Sequence, residues 1–325
     1  MDCDGDGDAA PLDPSLAPVL LFRRGRGGAD EPEDAAANDG GARPVYSGWT
    51  TSSMPQGWVL TLDAATRAAS LRDPFTSRTV RLPPDPDGLL ASSKTTRCFL
   101  STPRPADPGC VVLVLHRTAP VLCYCRPGDT DTRWLRHEYR PELLDGDDSY
   151  ARDGITKPVI TKLTAVRGAF YTQRSDKLVT VQFSPEPTLS ASQVMDKPSE
   201  TSSYLLTRSY LVESCGELFT VCFCYTKLCV HRVLRVEVQK LDWSRSTWVK
   251  VTGLGDRAFF VIRRQFAVSM AAEEFGLKPN CVYFINADDK GLYFYDMEQG
   301  TTTLHNPGQS IPHSVQPILL IPAAI

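Results

Sequence analysis

The sequence has no apolar run long enough to cross a membrane. Its longest are short, such as Val111-Val112-Leu113-Val114-Leu115 and Ile318-Leu319-Leu320-Ile321, whereas a spanning helix needs roughly 20 apolar residues. Charge of one sign is equally scarce: 35 basic against 38 acidic residues leave −3, which excludes a polybasic nucleic-acid-binding domain. The amino terminus, Met1-Asp2-Cys3-Asp4-Gly5-Asp6, is acidic where a signal or transit peptide would be basic. This reading places the chain in the cytoplasm, the nucleus or both, away from membrane and nucleic acid. Long amphipathic helical patterns are missing; at most Ser269 to Phe275 makes a turn or two ending at Gly276. No Gly-x-Ser-x-Gly elbow, His-Glu-x-x-His helix or phosphate-binding glycine-rich loop occurs.

What is present divides unevenly. The 325 residues and 42% apolar content suffice for two small domains or one large one. Residues 1–42 hold eight Asp and two Glu against three Arg, a net −7, so residues 43–325 carry +4. Asp, Gly, Ala and Pro dominate the leader, a composition that cannot bury enough surface to offset the entropy of ordering. Its one apolar island, Val19-Leu20-Leu21-Phe22, is able to dock on the body, so disorder is expected mainly over 1–15 and 23–42.

From about Tyr46 onward, short runs of β-formers alternate with turn residues. Val59 to Leu62, Val111 to Leu115, Val121 to Cys125, Leu178 to Phe183 and Leu218 to Tyr225 are of this kind. Leu234, Val236 and Val238 alternate with Arg235, Glu237 and Gln239, the period of a half-buried strand. A glycine opens a β-run at Gly57, Gly109, Gly168 and Gly216, at intervals of 52, 59 and 48 residues. A fifth start at Asn280-Cys281-Val282 lacks the glycine. A four-stranded blade takes about 40–50 residues, so residues 43–325 predict an all-β propeller of five or six blades. Stacking blades around an axis buries both faces of each one. The run Val315 to Ile321 is expected to be a strand that closes the ring against the first blade.

Several stretches then resemble one family. Leu71-Arg72-Asp73-Pro74-Phe75-Thr76, continuing to Leu82-Pro83-Pro84, is similar to the hairpin of plant F-box-associated propellers. Leu254-Gly255-Asp256-Arg257-Ala258-Phe259-Phe260, Gly276-Leu277-Lys278-Pro279-Asn280-Cys281-Val282-Tyr283-Phe284 and Tyr295-Asp296-Met297-Glu298-Gln299-Gly300 match later elements of the same pattern, in order. The chain thus resembles the KIB-type β-propeller domain, a domain of unknown function. The resemblance implies a substrate-recognition propeller of an F-box protein, which binds a protein partner. Residues 1–42 lack the Leu/Pro-rich helical pattern of an F-box, so direct binding to the ligase adaptor is not expected. True kelch glycine doublets and the Gly-His…Trp-Asp pair of WD repeats are missing from the blades.

Candidate chemical residues each have a structural reading beside the functional one. Cys123 with Cys125, and Cys222 with Cys224, place two thiols on one side of a strand, with Cys229 and His231 close behind the second pair. Structural zinc sites usually use wider spacings, so these cysteines read as packed free thiols. His116, His137, His231, His305 and His313 have no nucleophile partner in sequence. Asp256-Arg257 and Asp288-Asp289-Lys290-Gly291 read as turns. Arg23-Arg24-Gly25-Arg26-Gly27-Gly28 has the look of a short RNA-touching tract, but the acidic cluster at Asp30 to Asp34 would repel phosphate. No catalytic, cofactor-binding or metal residue is assigned. The chain is expected to be a monomeric, non-enzymatic interaction module without a cofactor. The alternative is an enzyme or small-molecule binder that uses the axial channel, since propellers host both.

Overall fold

The short β-type runs become strands in the computed structural model. It describes residues 12–13, 15, 17–23, 49–63, 66–84, 88, 90, 96–116, 118–129, 132–144, 159–174, 176–195, 205–226, 229–262, 266–286, 289–307 and 316–323. Strand β1 (Val19–Arg23) comes from the leader's apolar island. The first blade follows as β2 (Trp49–Ser53), β3 (Val59–Asp63), β4 (Ala69–Arg72) and β5 (Thr79–Leu82). The second is β6 (Thr96–Leu100), β7 (Val112–His116), β8 (Val121–Cys125) and β9 (Leu135–Glu138). The third is β10 (Thr164–Val166), β11 (Ala169–Arg174), β12 (Lys177–Phe183) and β13 (Pro187–Gln193). The fourth has long strands: β14 (Leu205–Ser214), β15 (Glu217–Thr226), β16 (Cys229–Asp242) and the shorter β17 (Thr247–Lys250).

Each of these four blades is an antiparallel meander whose strands pair in chain order. The fifth departs from that plan. Its strands are β18 (Arg257–Val261), β19 (Ala267–Ala271), β20 (Cys281–Ile285), β21 (Leu292–Asp296) and β22 (Thr301–Asn306), in the order β19-β18-β20-β21-β22. β18 and β20 run parallel, so the chain crosses over through residues 272–280 between β19 and β20. The expected helical turn is confined to Glu273–Phe275, ending at Gly276 in the left-handed conformation. Ser269 to Ala271, expected in that turn, belong to strand β19, because pairing with β18 outweighs their helical preference.

The architecture is therefore a five-bladed propeller, and the glycine repeat marks its first hairpins. Gly57, Gly109, Gly168 and Gly216 all have positive φ, from 77° to 88°, in the connection between the first and second strands of blades one to four. At Arg167-Gly168 and Cys215-Gly216 both turn residues have positive φ, which matches the right-handed twist of the flanking strands. Asn280 takes the same left-handed conformation before β20 (φ 56°), as a short polar side chain can.

A blade exposes apolar side chains on both faces, so each gap between blades holds an apolar cluster. Leu60, Leu71 and Leu82 meet Cys98, Leu100, Val114 and Cys125 between the first and second blades. Leu113, Leu122 and Tyr124 meet Phe170, Val179 and Val181 between the second and third. Leu178 and Val166 meet Leu218, Leu241 and Trp248, and then Val221, Phe223 and Val238 meet Phe259, Val282 and Phe284. Polar clasps reinforce the gaps. Trp58 Nε1 donates to the Pro103 carbonyl and Trp134 Nε1 to the Pro83 carbonyl, both at 2.9 Å, which cross-links the first two blades in each direction. Arg167 pairs with Glu217 at 3.1 Å between the third and fourth, and Ser214 bonds Ser269 between the fourth and fifth.

The carboxyl-terminal run closes the ring against the first blade, as expected, but its hydrogen-bonded partner lies elsewhere. The carboxyl-terminal run forms β23 (Gln316–Leu320), but it pairs with the leader strand β1 and not with a strand of the first blade. Val19 lies opposite Leu320 and Leu21 opposite Ile318. Leu319 and Ile321 then pack on Phe260, Met270 and Tyr283 of the fifth blade, while Val19, Ile318 and Leu320 pack on Val59 and Phe75 of the first. The docking of the island thus extends into ring closure. Residues expected to be disordered take part as well: the Leu12 amide donates to the Pro74 carbonyl at 2.8 Å. Residues 1–11, 14, 16 and 24–42 of the leader lie outside the described residues.

Gly57 is the tightest point of this closure. A Cβ there would lie 2.6 Å from Pro322 and Ala323 backbone atoms, on a backbone with φ +88°. Gly109 has a similar φ of +79° with open space around it. Gly57→Ala should therefore cost about 2 kcal/mol or more in chemical denaturation, and Gly109→Ala about 1 kcal/mol. Equal losses for the two variants would show that the carboxyl-terminal segment yields freely.

Candidate functional site

The family-like motifs build turns. Asp73 is fully buried; its Oδ1 accepts the Phe75 amide at 3.0 Å, and its Oδ2 accepts the Thr76 hydroxyl at 2.5 Å and the Arg78 guanidinium at 3.3 Å. One carboxylate thus organises the whole β4–β5 turn, in which Arg78 also lies over the Trp58 ring at 5.5 Å. Asn280 does comparable work in the fifth blade, where its Oδ1 accepts the Leu254 amide at 2.7 Å. Asp256 enters the same corner through its carbonyl, which accepts the Ala272 amide, and Arg257 Nε donates to Ser269 at 2.9 Å. The turn reading of Asp256-Arg257 agrees with these bonds.

Lys278 and Asp296 form an ion pair in this blade, at 2.7 Å. The Asp296 carboxylate also accepts the Glu298 and Gln299 amides, which closes the β21–β22 turn. Lys278 is the main cause that holds the Asp296 carboxyl below the usual carboxylate range, with the Gln299 amide next; the same bond holds the Lys278 ammonium above its usual value. The hairpin expected at Asp288 to Gly291 joins β20 and β21, with Asp289 Oδ1 accepting the Gly291 amide at 2.9 Å. Asp288 itself lies outside the described residues.

The cysteine pairs are not brought together. Cys123 and Cys125 are buried in the second blade, and Cys125 packs with Cys98 and Val114 against the first. Cys224 is buried, whereas Cys222 is half-buried beside the Ser209 hydroxyl at 3.3 Å. Among the described residues, no group of three His, Cys, Asp or Glu side chains is arranged to hold a metal. The side chains of Cys229 and His231, like His313 and Arg24 to Gly28, fall outside the described residues. Burial raises the Cys98 and Cys125 thiols far above their ordinary value and pushes Cys281 up to about 11. The other histidines serve locally: His116 Nδ1 meets Thr118, and His305 packs edge-on against Tyr283 and Phe294. His137 lies on the edge strand β9.

The surface that stands out was not marked by any motif. Met195, just past β13, is 77% exposed, yet its backbone is fixed to the fourth blade. Its amide donates to the Ser246 carbonyl at 3.0 Å, and its carbonyl accepts the Trp248 amide and the Thr247 hydroxyl. Trp243 and Val249 are exposed close by in sequence, and Trp243 packs edge-on against Tyr171 of the third blade at 5.4 Å. A parallel bridge between blades thus presents a methionine to solvent. The sequence signal was only an apolar residue within a polar connection, which carries little information.

Topology sorts the connections. A four-stranded meander begins and ends at the same end, so the described residues that leave the first three blades, 83–84, 139–144 and 194–195, share one face of the ring. The opposite face carries tight turns such as 167–168 and 215–216. No helix among the described residues is long and apolar enough to cross a membrane.

The family model described as the KIB1-4 beta-propeller matches residues 40–302. No curated protein matches the chain. Among solved structures, a functionally unknown protein from Desulfotomaculum acetoxidans aligns with 11% identity and a TM-score of 0.40, over 96% of this chain and 84% of that one. A luciferin-regenerating enzyme aligns with 9% identity and a TM-score of 0.29, over 61% and 56%. Likenesses this distant have no bearing on function.

Two measurements check the chemistry of these residues. Because the Asp296 carboxyl is depressed in the folded state, its stabilisation is complete above the ordinary carboxylate range and is lost as pH falls through the folded value. Asp296→Asn should lower the urea midpoint at pH 7 and flatten its decline between about pH 5 and pH 3; an unchanged slope would remove the pair from the account. Thiol labelling of native protein, mapped by mass spectrometry, should modify Cys215 fastest, since it is exposed. Cys98, Cys125 and Cys281 should react only on unfolding.

Proposed function

Since the chain belongs to the KIB1-4 β-propeller family, we propose that it is a non-enzymatic protein-recognition module working in the cytoplasm, the nucleus or both. The observation that carries this reading is the exposed Met195, whose backbone is bonded to the edge strand β17, on which Val249 is also exposed. Exposing a large side chain while both polar groups of its backbone are bonded keeps an apolar surface in water without letting it collapse. Surfaces of that kind mark association sites.

In the same reading, the chain does not itself engage the adaptor of a cullin ligase. The leader's apolar island is already used as strand β1, and the sequence of residues 1–42 has no Leu/Pro-rich helical pattern. A propeller that binds a client without engaging the adaptor acts as a scaffold or as a competitor of proteins that do.

The test is proximity labelling in plant cells, the setting that the resemblance implies, with wild type and Met195→Glu/Val249→Glu. A reproducible protein partner should lose labelling at least about tenfold in the variant, and the ligase adaptor should not co-precipitate with either. Robust adaptor binding would overturn the second statement. A full partner set retained by the variant would remove Met195 and Val249 as its basis, and turnover of a metabolite by purified protein would overturn the non-enzymatic reading.

A further inference from the structure

The two strands that close the ring are not anchored alike. β23 is built in on both sides: Leu319 and Ile321 pack on the fifth blade, β23 contacts β2, and Ala323 is buried with Trp58, Leu60 and Leu100 of the first two blades. Its continuation, Pro322-Ala323, runs against Gly57, where a Cβ would lie 2.6 Å away. β1 has no comparable place. Among the described residues its one ladder is with β23, from Val19 opposite Leu320 to Arg23 opposite Gln316, and no strand of a blade pairs with it.

Connectivity sharpens the contrast. Two-residue turns, Arg167-Gly168 and Cys215-Gly216, join β10 to β11 and β14 to β15, so none of these strands leaves without opening its own blade. Between β1 and β2 lie 25 residues, a length of chain that reaches up to about 80 Å. Removing β1 breaks no ladder within a blade, and its tether reaches the seat beside β23 in the same ring or in a neighbouring one. The seat also defines its occupant. The Leu12 amide donates to the Pro74 carbonyl at 2.8 Å, Ala17 is buried with Val59, Phe75 and Leu320, and Val19 opens the ladder. What fits there is a strand of this sequence in this register, and a second copy of the chain carries one.

We propose that β1 exchanges between copies, so that two chains form a reciprocal dimer in which β1 of each pairs with β23 of the other and closes its ring. The contacts of the closed ring are kept, and only the chain that supplies β1 changes. Concentration sets the balance. A linked strand is presented to its own seat at an effective concentration on the order of millimolar. The monomer therefore prevails in dilute protein, and the dimer is trapped when rings open and close again in concentrated protein. The dimer holds two copies of the surface at Met195, so a client with two matching segments gains avidity. That consequence alone rests on the recognition-module reading; the exchange itself does not.

The test uses the full chain, unfolded in urea with reductant as an equal mixture of unlabelled and isotope-labelled protein. Refolded at roughly 0.3 mM, near the effective concentration of the linked strand, it should yield a dimer in native mass spectrometry, about half of it isotopically mixed. Refolded at roughly 1 μM it should yield monomer. The exchanged pairing is located with two single variants, Val19→Cys and Leu320→Cys, whose residues lie directly opposite. After refolding together at high concentration and oxidation with diamide, peptide mapping should recover a disulfide joining position 19 of one chain to position 320 of the other. The double variant Val19→Cys/Leu320→Cys, oxidised as the monomer, keeps β1 in its own ring; it should refold as monomer at high concentration and dimerise only after reduction. Monomer alone from concentrated wild type, a dimer without the link between chains, or a dimer from the locked variant would overturn the proposal. The wild-type measurement needs no substitution, so a folding defect in a variant leaves the test intact.

Discussion

A blade of this protein is apolar on both faces, and the structure depends on leaving neither face in water. Phe170 and Val181 point one way from the third blade while Leu178 and Val166 point the other. Only a closed ring gives every such face a cover, so closure is a condition of stability for all blades at once. That condition falls on a two-stranded ribbon, with Leu319 and Ile321 covering the fifth blade and Leu320 with Val19 covering the first. The clasps at Trp58, Trp134 and Arg167 then fix the angle between blades that are already sealed.

The family-like residues serve this architecture. Asp73 bonds three groups of one turn, Asn280 ties the start of β20 to Leu254, and Lys278 with Asp296 closes the β21–β22 turn. Turn geometry, which tolerates few substitutes, accounts for each of these residues without a ligand.

Blade periodicity was legible because a positive-φ turn residue recurs at Gly57, Gly109, Gly168 and Gly216. Local chemistry dictates such positions, and local chemistry is what a sequence displays. The partner of the last strand was not legible, since the pairing of Val19 with Leu320 depends on the whole ring between them. Strand β19 was missed for a related reason: Ser269-Met270-Ala271-Ala272-Glu273 favours a helix locally, and the edge of β18 overrides that preference. Met195 was invisible as candidate surface, because only the assembled blades decide what remains uncovered around it.

Pairing the two ends of the chain also has a consequence in time. Strand β1 is synthesised first and its partner β23 last, roughly 300 residues later. At a translation rate of about 5–20 residues per second, β1 waits on the order of 15–60 s with its hydrogen-bonding edges unmet. Until β23 leaves the ribosome the ring is an open arc, and its first apolar strand waits without a partner.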